Sequence, residues 1–542
     1  MTNDKPKVDT GAHGKLAEDI KVSLFRQIHH MPLVWQGEGD FLIDEICKDL
    51  TKTPKSWCEI ENPLRALSKS RDDADPDVFN EVVYFHDFAR DFLYPHGKNP
   101  AFRLFEKRNP GTITASFANN GGTHDFTIER LTLHIFRTKT AILTVETLHK
   151  AQEAPINLAQ VQTIIDHFRR SYTPFWNDEH PSKVPTKLEL SDGTKATKQK
   201  QSEMIKALED NFGACADAPL LEPWASWLER LNLKDWRDPN DERVPVMSFI
   251  LLKKTEGSNR DTLNQIRKSD WFRLAEADES GKEYAYNPAF LARLEAGFFY
   301  DRFMPDPLMP DYLATRHIFG GAHYCVVSVD DVQNDPKNSN FPRDIIQTHF
   351  RRHYEKMALA ARFEFASLLA FSARITNAVK PLEDPKASKH TRDRFRADIL
   401  TIHEEFLEFT HRYHFTGISS QIQASEMFKH WRTSQDLDRL YQDVKDEITS
   451  ASQYAQTVQA DNKANEANAL ARVAILVGAL VSAPSLNSFA LFKGMNARLS
   501  GLLDNVGWQE AGPLISFALP IILVFGIGEV LFRVLRWWGR RA

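Results

Sequence analysis

Hydrophobic and polar positions follow three regimes along the chain. Up to about residue 340, short apolar runs alternate with helical patterns. The segments 131–136 and 141–145 are rich in branched and aromatic residues and read as two arms of a hairpin. Segments 246–252 and 324–329 read as further strands, and 158–168 and 200–211 as helices. The stretch 181–200 is rich in Lys, Ser and Thr around an Asp192-Gly193 turn, and reads as an exposed loop or subdomain boundary.

From Pro342 the period changes. Ile346, Phe350, Tyr354, Met357, Ala361, Phe365 and Leu368 recur at steps of three and four, which predicts one long amphipathic helix ending before Pro381. A second helix is expected from about Thr391 to Tyr413, packed antiparallel on the first. A third should start near Ser434, since no Pro or Gly occurs from Gln435 to Val477. Leu437, Val444, Ala451 and Val458 fall seven apart, as do Tyr441, Ile448 and Ala455. That is a heptad seam with small residues at its centre. It suits a stalk packed on other helices, a ring of identical stalks, or a long core helix.

The third regime is apolar. Segment 473–492 carries no charge and 513–532 carries only Glu529. About 20 residues at helical rise cross a hydrocarbon core of roughly 30 Å, so both are candidate transmembrane helices. Glu529 has Arg533 one turn on as a partner. Arg533, Arg536, Arg540 and Arg541 follow without an acid, and Trp537 and Trp538 stand where an interfacial belt would lie. By the positive-inside rule the tail is cytoplasmic, and with two spans so is the N-terminal region. The segment 1–15 is polar, and no signal peptide is expected. The expected location is a bacterial inner (plasma) membrane, multi-pass, with both termini cytoplasmic.

Composition adds exclusions. The 542 residues are 42% apolar and 26% charged with net charge −5, so a nucleic acid polymer is not an expected partner. Cys47, Cys58, Cys215 and Cys325 are scattered without a CxxC pair, against a zinc site or a disulfide framework. There is no P-loop, dinucleotide fingerprint, nucleophile elbow or HExxH, so no enzyme is expected and no cofactor beyond a transported or regulatory cation.

The first apolar segment is not a plain anchor. It contains Gly478, Ser482, Ser485, Asn487 and Ser488. At helical spacing Gly478, Ser482, Ser485, Phe489 and Asn496 share a face, which serves close helix packing or a wet lumen. Pro484 would bend that helix and loosen carbonyls near a lumen. Gly494, Met495 and Asn496 open the loop between the two segments. A ring of Asn496 amides would offer neutral oxygens to a hydrated cation, and Mg²⁺, which dehydrates reluctantly, suits such a grip through water.

With that signature, a long helix before it and a basic tail after the second span, the chain resembles the CorA-type magnesium channel family. The resemblance covers the last 200 residues well and the first 340 in outline. It implies a homopentameric funnel in a lipid bilayer, its first span lining the pore and Asn496 forming the outer selectivity ring. Lys493 stands where that family usually has an aromatic, and Ala497-Arg498-Leu499-Ser500 where it has an acidic loop. In an oligomer Lys493 and Arg498 would add rings of positive charge near the mouth.

The expected fold is an α+β cytoplasmic domain (1–340), an antiparallel helical region (341–433), a stalk helix running into the first transmembrane helix (434–492), an outer loop (493–512), a second transmembrane helix (513–532) and a basic tail (533–542). The pore and selectivity candidates are Gly494, Met495, Asn496, Ser482, Ser485 and Asn487. Asp443 and Asp446, among the stalk acids, are candidates for a regulatory divalent cation, against the commoner reading of a solvated helix face. Glu404, Glu408 and His411, spaced four and three apart, are a weaker metal candidate than an exposed charged row. The repeated Gly-Gly-x-His at 121–124 and 320–323 reads as turns.

The function expected is an oligomeric divalent-cation channel or transporter, with Mg²⁺ favoured. Its alternative is an effector of a signalling or antiviral defence system with a ligand-sensing cytoplasmic domain. A tethered interaction domain is the plainest reading.

Overall fold

The computed structural model describes residues 15–35, 43–52, 57–60, 81–95, 100–118, 121–149, 155–172, 183–191, 196–211, 220–230, 236–239, 242–281, 287–301, 310–330, 340–384 and 387–460. They fall into two compact units. One comprises the described residues of 15–370 with 409–438, the other those of 371–408 with 439–460.

The first unit is built on one mixed sheet of fourteen strands. In chain order these are β1 (Lys21–Trp35), β2 (Trp57–Glu59), β3 (Phe102–Lys107), β4 (Thr112–Phe117), β5 (Gly122–Phe136), β6 (Thr140–His149), β7 (Ile156–Asn157), β8 (Lys187–Ser191), β9 (Ala196–Lys200), β10 (Trp236–Arg237), β11 (Val246–Lys253), β12 (Phe299–Tyr300), β13 (Thr315–Phe319) and β14 (His323–Asp330). The main path runs β12-β13-β14-β11-β1-β6-β5-β4-β8-β9. Its pairs are antiparallel except β11 with β14.

β5 and β6 form the expected hairpin, with Leu131 opposite Val145 and Ile135 opposite Ala141. β11 and β14 occupy the other two expected strands. β8 and β9 lie where a loop or boundary was expected. They form an edge hairpin whose short alternation, buried at Leu188 and Leu190, is diluted by exposed Lys187, Lys198 and Lys200.

β1 is the central strand that the sequence does not announce. It holds Pro32, which cannot donate to a ladder. The N–H of His30 bonds the Pro245 carbonyl at 2.8 Å on the β11 side, and the N–H of residue 32 would face that same side. β1–β11 pairing has ended there, at His29 opposite Val246, so the missing donor costs nothing.

The two faces of the sheet differ. Phe25, Met31, Leu33, Leu131, Leu133, Leu143 and Val145 belong to the apolar core, along with Leu158, Val161, Ile165 and Phe168 of helix Leu158–Phe168. Each such burial is worth about 1.5–3 kcal/mol. That helix starts on a capping box between Asn157 and Gln160. The opposite face carries Arg26, His30, Thr144, Glu146, Arg130 and His134. Over it runs the helical segment from Pro342. Ser367 bonds Thr138 at 3.0 Å, and the Phe363 and Phe136 rings lie 4.3 Å apart.

That segment is not uniformly α-helical. Pro342–Ile346 and Phe350–Tyr354 are π-helical turns, and the regular helix is Glu355–Val379. It gives way to a 3₁₀ turn, Lys380–Leu382, at Pro381.

In the second unit the later part of this helix, helix Lys389–Arg412 and helix Leu437–Ala460 pack together. Phe371 meets Phe406 and Phe406 meets Tyr441, with ring centroids 5.4 and 5.6 Å apart. Arg374 pairs with Glu405, Ser372 bonds Glu447 at 3.0 Å, and Ser452 lies 3.0 Å from His403. The heptad residues Tyr441, Val444, Ile448, Ala451 and Ala455 are buried. The chain's own helices fill that seam. Helix Leu437–Ala460 begins there because Asp436 is left-handed (φ 52°) and separates it from helix Ile422–Ser434. Asp tolerates this conformation far better than most residues, so a search for Gly and Pro misses the break.

Two expectations are corrected. The fold is a large fourteen-stranded mixed sheet with helices, not a CorA-like α+β domain leading through a stalk to two transmembrane helices. Among the described residues no helix is long and apolar enough to cross a membrane. Glu355–Val379, the longest, is interrupted by Arg362, Glu364 and Arg374, and Leu437–Ala460 is studded with Asp, Glu, Lys and Arg. The multi-pass inner-membrane location is withdrawn on the same finding. The segments 473–492 and 513–532 themselves, with the loop and tail, lie outside the described residues.

Candidate functional site

The charged face of the sheet gathers ionisable side chains from three adjacent strands and the covering helix. Arg26 of β1 lies 2.5 Å from both Glu129 and Glu146. Glu146 of β6 also pairs with Arg130 at 3.2 Å and Arg351 at 2.5 Å. Arg351 reaches Glu129 at 2.9 Å, and its neighbour Arg352 reaches Glu81 at 2.6 Å. Glu81 also accepts the Tyr94 hydroxyl at 2.7 Å. Glu355 faces His30 at 3.5 Å, Lys356 at 3.3 Å and Arg130 at 3.9 Å.

Two irregularities in the backbone make this gathering possible. In a regular strand consecutive side chains point to opposite faces. β5 carries a bulge between Ile128, opposite Thr147, and Arg130, opposite Glu146. Glu129 is the extra residue, and a bulge re-aims side chains, so Glu129 and Arg130 serve one cluster. On the helix the π turn Phe350–Tyr354 does the same for Arg351 and Arg352. Between them lies a cavity of about 250 Å³ lined by Arg130, Glu146, Thr348, Arg351 and Arg352.

Burial governs the electrostatics. Glu146 and Glu355 are each about 1% exposed or less. Burial alone would raise both carboxyls. Arg130, Arg26 and Arg351 outweigh it at Glu146 and hold that group below the usual carboxylate range. Lys356 and Arg130 do the same, more strongly, at Glu355. Burial lowers His30, so it is neutral at pH 7.

A second polar group lies on the helix Leu158–Phe168 side. Asp166, His167 and Glu279 offer ligand atoms all within 4.8 Å of one another, the one such group of three among the described residues. Cations of the protein already serve its carboxylates. Lys183 lies 3.4 Å from both Asp166 and Glu279, and Arg170 lies 2.6 Å from Asp166. A hydrogen bond from His167 together with Lys183 holds Glu279 down at about 2, against the opposing effect of burial. The donor set is that of an internal ion-pair cluster beside a cavity of about 710 Å³.

The residues expected from sequence fall elsewhere. Gly494, Met495, Asn496, Ser482, Ser485 and Asn487 lie outside the described residues. Asp443 pairs with Arg439 at 3.7 Å, and Asp446 is exposed on the same helix. Glu404, Glu408 and His411 are not brought together with a metal-ligating geometry. Of the Gly-Gly-x-His pairs, 320–321 turns β13 into β14 while His323 bonds the Leu274 carbonyl at 2.6 Å and Ser248 at 3.0 Å. His124 sits against the Gly121 carbonyl at 2.6 Å and His149 at 3.0 Å. Both histidines are structural. Cys47 and Cys325 are buried free thiols, and burial pushes Cys47 up to about 12.

The arginine–glutamate cluster was not anticipated. Its signal was a charged residue inside apolar strand runs, Arg26 and Glu146, and an Arg351-Arg352 pair between two positions of the helical stripe. No family model matches the chain, and no curated protein or solved structure matches it.

Proposed function

We propose that the chain acts in an oligomer as a channel or transporter for divalent cations, Mg²⁺ first, as its resemblance to the CorA type implies. The observation that supports this reading is Gly494-Met495-Asn496 placed between two long apolar segments. Asn496 would hold the ion through its hydration water, and Ser482, Ser485 and Asn487 would line the path before it. The sheet body is not asked to conduct anything. Its part is regulation, favouring one of two states of the oligomer when a ligand binds.

The test is Mg²⁺-dependent growth of a host lacking its own uptake systems. Expression should restore growth at low Mg²⁺, and Asn496→Ala should abolish the rescue with protein levels unchanged. Rescue by Asn496→Ala equal to that of the parent chain refutes the assignment.

The effector reading is favoured by a different observation, the size of the fourteen-stranded body and its arginine-lined cavity. It predicts growth arrest on triggering, with no steady cation uptake.

A further inference from the structure

We propose that the cavity between β5, β6 and the π turn Phe350–Tyr354 is a binding site for a compact phosphate anion of the pyrophosphate class. The inference does not rest on cation transport. It rests on how the chain spends two backbone irregularities in one place. A bulge brings Glu129 and Arg130 to one cluster, and a π turn brings Arg351 and Arg352 to the facing wall. Bulges and π turns are over-represented at functional sites, and here two of them border one cavity.

The chemistry of the lining selects the ligand. Three of its five residues are arginines, Arg130, Arg351 and Arg352. Each is tied to a carboxylate along part of its guanidinium: Arg130 and Arg351 to Glu146, Arg352 to Glu81. The hydrogen bond from Arg351 Nε to Glu146 holds that fork before any ligand arrives, which lowers the ordering cost of binding, while Arg130 keeps Nε and Nη2 buried without a hydrogen bond. A lone carboxylate ligand satisfies one fork. A tetrahedral phosphate has oxygens for two or three, and a pyrophosphate for all of them. The volume of about 250 Å³ is many times the roughly 10–15 Å³ that a single water needs. It admits pyrophosphate or the phosphate end of a larger molecule.

Glu146 forms the floor. At 1% exposure it is under the cavity, and Arg26, Arg130 and Arg351 already neutralise it. Glu129 differs. Its side chain is about 25% exposed and engages Arg26 and Arg351, so it competes with an incoming anion for Arg351. That competition gives the test a variant expected to gain affinity.

The experiment is calorimetric titration of the full chain with inorganic pyrophosphate at fixed ionic strength, with sulfate as comparator. Expected is saturable binding of one pyrophosphate per chain, at least tenfold tighter than sulfate. Arg351→Gln should weaken it tenfold or more, and Arg352→Lys by less, because the charge remains while the fork is lost. Glu129→Gln should tighten it about threefold. Thermal unfolding of each free variant checks folding; if Arg351→Gln does not fold, Glu129→Gln carries the decision. No saturable heat with pyrophosphate, unchanged affinity in a folded Arg351→Gln, or weaker binding in a folded Glu129→Gln each overturns the proposal.

Discussion

Acidification from pH 7 to 5 should strip most of the stability from the sheet body, and buried histidines are the reason. His29, His134, His317 and His323 are all less than 5% exposed. His29 lies edge-on to Phe168 and Trp224, and His134 edge-on to Phe102. His317 meets the Tyr324 hydroxyl at 2.8 Å. Burial pushes each of the four down from 6.5 to about 3. The unfolded chain therefore takes up protons below pH 6.5 while the folded chain does not, and stability falls with pH from 6.5 toward 3. At pH 5 each histidine costs about 1.5 units at about 1.4 kcal/mol per unit, or about 2 kcal/mol. Four cost about 8 kcal/mol, comparable to the roughly 5–15 kcal/mol that holds a domain together. Glu276, Asp301 and Glu447, which burial holds up, bind protons earlier when folded and offset part of this. Urea unfolding of the full chain at pH 7, 6 and 5, read by tryptophan fluorescence, should show the midpoint falling steeply. His134→Phe keeps a ring against Phe102 and removes one titrating site, so it should recover about 2 kcal/mol at pH 5; His353, also pushed down to about 3, and His149, to about 4, add to the loss that remains. A midpoint equal at pH 7 and 5, or a His134→Phe variant as acid-sensitive as its parent, refutes the reasoning.

Two further outcomes follow from packing and charge. Glu146→Gln leaves Arg26, Arg130 and Arg351 around a neutral amide, and breaking a buried pair in this way costs about 3–5 kcal/mol. Thermal unfolding should show a loss of about 6–10 °C on a scale of about 2 °C per kcal/mol, and a change under 2 °C would mean the pairing is not structural. Gly320→Ala puts a Cβ 1.9 Å from the Ala275 carbonyl oxygen, so backbone must move. We expect a loss of about 3 kcal/mol in urea unfolding, at the upper end for overpacking, and an unaltered midpoint would show that the β13–β14 turn has room.

What could be read from the sequence and what could not divides by how many neighbours decide a residue's place. The β5–β6 arms, β11, β14 and the helix Leu158–Phe168 are legible because each carries its own period and its own ends, down to the Asn157–Gln160 capping box. β1 is illegible because its character is imposed from outside. Arg26 and His30 belong to one face only once Glu146 and Glu355 arrive from β6 and the covering helix, and Pro32 is allowed only because β11 stops short. The helix after Pro342 shows the same limit in finer detail. Its apolar stripe, Ile346, Phe350 and Tyr354, is visible at steps of four, and all three are buried as the stripe requires. The π turns that let Arg351 and Arg352 share a wall leave no mark on that stripe. A composition of 26% charged residues looks like an ordinary solvated surface. Here part of that charge is folded inward, where like-signed groups are tolerable only in alternation: Arg26, Arg130 and Arg351 around Glu146, with Glu129 and Glu355 beside them. Such an array is costly to desolvate and weak evidence for stability in itself. Apolar replacements would fill the same face at lower cost, and a bulge and two π turns would then be unnecessary. Keeping them is intelligible if the forks they aim have a charge to meet that the folded chain alone does not supply.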